Sequence, residues 1–273
     1  MKVTKGVSTA IDGGVLFGTP LSEWKDKASP NKHNKVVLWQ NILFIKVKDG
    51  YALVDPSFKI ATHATSRNSV AQQIRQQGID PKDVRFVIFT HFHSHVIASM
   101  TYSKHYYEPV LNRFRNYERS AFPEASVIVQ KGALEEALSP PPHKKHLYDA
   151  SSVLEAKLLG LGDKLKVIDG NYVLNENVEL ILTGGHTSGH QVVQVTTPGS
   201  KLVYAGEVLP TFLHHPPTYI SGLDRFPEET VMAKGRLLRE SDLIIFGYSL
   251  QGIAAYFVKQ RHGMVMLKPE RVA

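Results

Sequence analysis

Short apolar runs, many of them β-branched and divided by polar turns, open the chain's pattern. "KVVLWQ" (35–40), "ILFIKVK" (42–48) and "YALVDP" (51–56) read as strands, and the "KDG" at 48–50 predicts a hairpin between the last two. "SRNSVAQQIRQQG" (66–78) changes to helical spacing, capped by Ser66 or Asn68 and stopped by Gly78. "VRFVIFT" (84–90) is continuous and apolar, as a buried strand should be. A helix is expected over the aromatic-rich stretch 103–119, then a strand at "SVIVQ" (126–130) and a short helix over 131–138. "SPPPHKKH" (139–146) breaks the pattern, and 147–161 reads as an inserted helix.

The second half returns to strands at "KLKVID" (164–169), "NVELILT" (177–183), "QVVQVTT" (191–197) and "KLVYAG" (201–206). A helix, "PEETVMAKGRLLRES" (227–241), and a strand, "DLIIFG" (242–247), follow. No internal repeat or low-complexity tract stands out. Strands and helices recurring in both halves predict two packed sheets with helices outside, one α/β domain over 1–273 with a helical insertion at about 139–163. Polar, histidine-bearing loops sit at the strand ends, where such folds place their chemistry.

Composition narrows the chemistry. With 273 residues and 42% hydrophobic content the chain can bury a proper core. The net charge of +7 is spread thinly, its densest clusters being "HKKH" and the terminal "KPERVA", so it reads as a solvated basic surface and not as a nucleic-acid-binding arm. There is no cysteine, which excludes disulfides, thiolate metal sites and cysteine nucleophiles. The first residues do not read as a signal peptide, and no run approaches the roughly 18–20 apolar residues of a membrane span. A cytoplasmic protein acting on a small molecule is the expectation.

"THFHSHV" (90–96) places His91, His93 and His95 at alternate positions just past an apolar run. Two histidines two apart on extended backbone can point the same way and share an ion, although such a pair also arises in surface loops. "ILTGGHTSGHQVV" sets His186 and His190 in a Gly-rich turn after a strand, and "LVYAGEVLP" ends a strand with Gly206–Glu207. Three strand-end loops carrying ligand-type residues point to a metal site.

At these residues the sequence resembles the metallo-β-lactamase superfamily, especially its lactonase-like hydrolases. The family pattern is T-H-x-H-x-D-H, then G-H-T-x-G-H, then strands ending G-D and G-H. The matching stretches are "THFHSHV", "GHTSGH", "AGEVLP" and "FGYSL", with "LVDPS" (53–57) resembling an early turn. "PTFLHHPPTYISGLDRFPEETVMAKGRLL" resembles the segment that follows in the lactonase branch, so the likeness spans roughly 35–255. It implies an αββα sandwich of two mixed β-sheets with helices on the outside. It also implies that His91, His93 and His186 bind a first zinc.

The second-metal positions depart from the family: its Asp is His95, its next His is Val96, its bridging Asp is Glu207 and its last His is Tyr248. One zinc ion on His91, His93, His186 and Glu207 is therefore the expected cofactor, acting on an ester or lactone through a metal-bound hydroxide. Glu207 is either a fourth ligand or a general base, His95 a proton donor to the leaving group, and Tyr248 an oxyanion partner. Iron, or a second ion on His95, Glu207 and Tyr248, is the alternative cofactor. The rival functions are a non-haem iron oxygenase and a non-catalytic binding protein.

Supporting positions carry weaker signals. Asp55 either orients a liganding histidine or caps a turn. His190 is expected to brace the Gly-rich turn, and His214 and His215 line the substrate mouth or lie exposed. His33, His63, His105, His143, His146 and His262 read as surface residues, and Trp24 and Trp39 as core or pocket cover.

Overall fold

Along β2 (Lys35–Val47) successive side chains point to opposite faces, and both faces are covered. Leu43, Ile45 and Val47 enter a core between two sheets, while Ile42 and Phe44 enter another beneath helices. Full burial of each such side chain contributes about 1.5–3 kcal/mol. The computed structural model describes residues 1–58, 70–108, 110, 112–250, 256–260 and 263–267.

The first sheet has the order β1 (Lys2–Asp12), β2, β3 (Gly50–Val54), β4 (Val84–Ile88), β7 (Ser126–Gln130) and β8 (Leu165–Ile168). A further strand, β14 (Tyr248–Leu250), pairs with β2. The β2–β3 turn brings Val47 opposite Gly50, as the hairpin reading requires. From β3 through β4 and β7 to β8 the pairs are parallel. The second sheet has the order β16 (Gly263–Leu267), β15 (Tyr256–Gln260), β13 (Leu243–Ile245), β12 (Ser200–Tyr204), β11 (Gln191–Thr197), β10 (Val178–Leu182) and β9 (Tyr172–Asn175).

Helices α3 (Val70–Arg75), α4 (Lys131–Leu138) and α5 (Ser151–Leu161) cover the outer face of the first sheet through Ile74, Ala133 and Leu154. Helix α6 (Pro227–Glu240) covers the second through Leu237 against Val203 and Ile244. The result is the expected αββα layering. Near the amino terminus, α1 (Gly13–Phe17) and α2 (Leu21–Ala28) share a smaller core with Leu38 and Tyr248. Among the described residues no helix is long and apolar enough to cross a membrane.

Several elements differ from the sequence reading. The stretch expected as a helix over 103–119 is a β-hairpin, β5 (Thr101–Glu108) and β6 (Arg113–Ser120), with Asn112 in left-handed backbone at its turn (φ 47°). Pro109 has no amide proton to give a helix, and tyrosine and phenylalanine suit strands. The two expected strands at 35–40 and 42–48 are one, β2. The helix expected over 66–78 is described from Val70, so its caps at Ser66 and Asn68 lie outside the described residues. The helix expected over 147–161 begins at Ser151, after a 3-10 turn over Pro142–Leu147. Strands β1, β9, β14, β15 and β16 carried no expectation.

Candidate metal centre

β10 and β12 run the same way, each antiparallel to β11, and β13 is parallel to β12. Their carboxyl ends therefore share one edge; the loops leaving it carry His186 and Glu207, and Tyr248 opens β14 just past it. His91, His93 and His95 come from the loop after β4 in the other sheet. Gln191 ties the two loops together: its amide donates to the Thr90 carbonyl (2.9 Å) and its side chain to the Phe89 carbonyl (2.9 Å).

His91 and His186 are each held by what their outer nitrogen meets, and His93 by a ring contact. His91 Nδ1 lies 3.0 Å from the Thr90 hydroxyl, which donates to Asp55 Oδ2 (2.7 Å). The Thr90 amide donates to Asp55 Oδ1 (2.8 Å). His186 Nδ1 lies 2.8 Å from Asp224 Oδ1, and the rings of His93 and Tyr148 meet edge to face at 4.8 Å. His190 accepts the Glu207 amide at Nε2 (3.1 Å) and faces the Thr183 hydroxyl with Nδ1 (2.8 Å), so both its nitrogens are engaged away from the cluster. That contact needs Gly206 (φ 53°), where a Cβ would stand 2.7 Å from His190 Nε2.

Glu207 sits at the centre. Its Oε2 is 3.0 Å from His186 Nε2, and its Oε1 is 3.4 Å from His91 Nε2. The same Oε1 accepts the Tyr248 hydroxyl (2.7 Å) and lies 2.8 Å from His95 Nε2, itself 2.7 Å from that hydroxyl. His95, Glu207 and Tyr248 thus close a triangle of polar atoms. Val96 is fully buried in the apolar core with Phe92 and Ile97. The His95 side chain is 35% exposed while those of His91 and His186 are at 0%, so the cluster opens to solvent on the His95 side.

Electrostatics sort these groups. Burial opposes charge on Glu207, but His186 and His91 outweigh it and hold the carboxyl well below its usual range. Burial likewise opposes charge on His186, yet Glu207 and Asp224 raise it to about 10. Burial lowers His91 to about 4 and His93 well below its ordinary value. The buried carboxylate is thus balanced by a proton on His186, at the point where a cation would otherwise stand.

The residues fit a metal ion. His91, His93, His186 and Glu207 each offer a donor atom, all within 4.8 Å of one another. His91 Nε2 is buried without a hydrogen-bond partner. His93 Nδ1 and His186 Nε2 stand 3.2 Å apart. Two ligands of a tetrahedral zinc at ~2.0–2.1 Å are separated by about 3.3 Å.

The structure therefore gathers His91, His93, His95, His186, Glu207 and Tyr248 in one place. His214 differs from its expected position: it is buried, stacked on Phe17 and bonded to the Leu16 carbonyl (2.9 Å). His215, His33, His143 and His146 are exposed, Trp24 is core and Trp39 is half-buried. His63 and His262 lie outside the described residues, as does the side chain of His105. Asp224 and Tyr148 were missed; "SGLDRF" and "HKKHLYD" carry no ligand spacing and reach the site only through folding.

A family model, the metallo-beta-lactamase superfamily, matches residues 38–243. A search of curated proteins returned no match. Among solved structures, the chain resembles a probable metal-dependent hydrolase from Staphylococcus aureus at 18% identity and a TM-score of 0.76, covering 100% of this chain and 97% of the other. It also resembles AidC, a dizinc quorum-quenching lactonase crystallised with an N-acyl-homoserine product (17% identity, TM-score 0.72, 99% and 94% covered). A third is the hydrolase AbOPH of the beta-lactamase superfamily (15%, 0.75, 99% and 94%). At these identities the likeness shows the fold.

Proposed function

Since the chain belongs to the metallo-β-lactamase superfamily, we propose that it is a metal-dependent hydrolase of small ester or lactone substrates, using one zinc ion held by His91, His93, His186 and Glu207. The observation that carries this reading is the convergence of three imidazoles and one carboxylate in a buried cluster that opens beside His95. When bound, zinc would supply a water acidified towards a pKa of about 7, taken as a fifth donor beside the three histidines and Glu207.

The protein's own groups then have distinct work. Glu207 stays ionised and, with its Oε2 among the histidine nitrogens, serves as the fourth ligand. Tyr248 keeps its proton, because burial and then Glu207 push its hydroxyl well above the usual phenol range. It is therefore a donor for an oxygen that gains negative charge. His95, at the open edge and hydrogen-bonded to both, is placed to pass a proton to a departing alcohol. AidC is a dizinc enzyme; here the triangle of His95, Glu207 and Tyr248, with Val96 in the core, favours a single ion.

Glu207→Gln tests the assignment. It is expected to weaken zinc binding roughly ten- to a hundred-fold or more, since even outer partners of metal ligands cost that much. Hydrolysis of an ester and lactone panel should fall by about 10²–10⁴. A variant with wild-type zinc affinity and reduced rate makes Glu207 a base and not a ligand. No metal-dependent turnover by the wild type on the panel puts a non-catalytic binding protein in place of the hydrolase.

A further inference from the structure

We infer that Asp224 is a positioning residue that fixes which edge of His186 faces the metal, and that Lys144 holds Asp224 at that station; this rests on the metal reading above. Asp224 Oδ1 and His186 Nδ1 are 2.8 Å apart, and their side chains are 1% and 0% exposed. A neutral imidazole carries one N–H, and an ionised carboxylate only accepts. Once Nε2 is given to a cation, the remaining proton stays on Nδ1, pointing at Asp224. The free lone pair then faces Glu207 Oε2 (3.0 Å) and His93 Nδ1 (3.2 Å).

The backbone around Asp224 is fastened to the turn it serves. The amide of Arg225 donates to the carbonyls of Gly185 (3.1 Å) and of His186 itself (3.2 Å), and the Phe226 amide donates to Gly185 (2.8 Å). From the opposite side Lys144, in the 3-10 turn before α5, donates Nζ to the carbonyls of Gly222 (3.3 Å), Leu223 and Asp224 (3.1 Å). Lys234 of α6 does the same further along, donating to Pro216 (2.9 Å) and Tyr219 (2.6 Å). Burying a lysine is costly unless its donors are satisfied. Two buried lysines spent on carbonyls of one short segment mark its position as closely specified. The inserted stretch between α4 and α5 thereby gains a role as a prop beneath a metal ligand.

The test is zinc affinity by chelator competition on the full-length wild type and on Asp224→Ala, Asp224→Asn and Lys144→Met. Cobalt(II)-loaded samples add the visible absorption bands and the proton resonance of the liganding histidine N–H groups. Asp224→Ala is expected to bind zinc roughly 10–100-fold more weakly. Its cobalt bands should shift, one N–H resonance should be lost, and the metal-free circular dichroism should stay that of the wild type. Asp224→Asn keeps an acceptor oxygen without the charge and should fall between. Lys144→Met should move the same readouts less far, and an unchanged Lys144→Met overturns the part given to that lysine. If Asp224→Ala does not fold, the Asn variant decides by the same measurements. Wild-type affinity and cobalt spectrum in the Asp224 variants overturn the inference, whereas failure of the wild type to bind zinc overturns the metal reading beneath it.

Discussion

Thr90 has a single hydroxyl proton, and with Asp55 ionised the 2.7 Å contact commits it to Asp55 Oδ2. His91 Nδ1 must then be the donor to Thr90, which leaves the His91 Nε2 lone pair facing the site. Asp55 thus acts on His91, a proposed metal ligand, through a neutral relay. Burial raises its carboxyl from 3.8 to about 7, against the two bonds from Thr90 that lower it. Folding therefore takes up a proton between those values, and stability falls as pH rises through them. Asp55→Asn removes the buried charge, and asparagine tolerates the left-handed backbone at this position (φ 45°). Near pH 8 the metal-free variant should be more stable by about 1–2 kcal/mol, roughly 2–8 °C in midpoint. It should still bind zinc ~10–100-fold more weakly, because an amide N–H on Thr90 Oγ frees the hydroxyl proton to turn towards His91. Melting curves at about pH 5 and pH 8, with chelator competition, check both halves; equal midpoints at the higher pH would remove the buried-charge argument. Of the two sequence readings of Asp55, the contacts follow the histidine-orienting one: its carboxylate accepts from Thr90 beside His91 and not from the turn it begins. Its intermediary Thr90 was inside the quoted motif but had no assigned part, since a hydroxyl relay leaves no periodic trace. His214 shows the same limit: nothing in "FLHHPP" announces that α1 will fold over it and bury it against Phe17.

At the scale of elements, helix α5 presses directly on the hairpin strand β6 at Gly160. A Cβ there would stand 2.8 Å from both the carbonyl carbon and oxygen of Glu118, backbone that cannot simply rotate aside. Replacing a helical glycine by alanine ordinarily gains about 1 kcal/mol. Forcing atoms into a filled contact costs about 1–3 kcal/mol. Gly160→Ala should therefore be destabilised by up to about 2 kcal/mol in urea, with metal content unchanged; a stabilised variant would show that the hairpin yields. That hairpin is where the helical expectation failed. Aromatic residues at irregular spacing mimic a helical stripe, and only the pairing of Thr101 with Ser120 through Glu108 with Arg113 decides for strands. The central strands were legible for the opposite reason. β7 is buried from Val127 to Gln130, and β4 and β10 are mostly buried, their apolar runs broken only by Arg85 and Glu179. β9 is a four-residue strand in a hairpin with β10, and β14 is three residues whose register is set by the distant β2, so neither left such a run.

Across the whole molecule, the metal donors come from both sheets. His91 and His93 follow β4 in the first, and His186 and Glu207 follow β10 and β12 in the second. The apolar core between the sheets, with Leu43, Ile45, Leu180 and Tyr204, joins them along most of their length. At the loop edge a buried carboxylate and three imidazoles meet, where no apolar contact can substitute for a cation. On the one-zinc proposal, bound metal would add to the folding free energy by RT ln(1 + [L]/Kd), about 2.7 kcal/mol at a hundredfold excess over Kd. Stripping it with a chelator should lower the thermal midpoint by about 5–10 °C. Zinc should restore the midpoint and saturate at about one equivalent, since one preformed donor set is present. A second ion would have to draw His95 and Tyr248 away from Glu207 Oε1 and would find the Val96 side chain where a ligand is wanted. Titration of metal-free protein followed by melting separates the cases. One equivalent with full recovery supports the single-ion centre, two tightly bound ions reinstate a paired site on His95, Glu207 and Tyr248, and a midpoint indifferent to zinc removes the metal from the fold altogether.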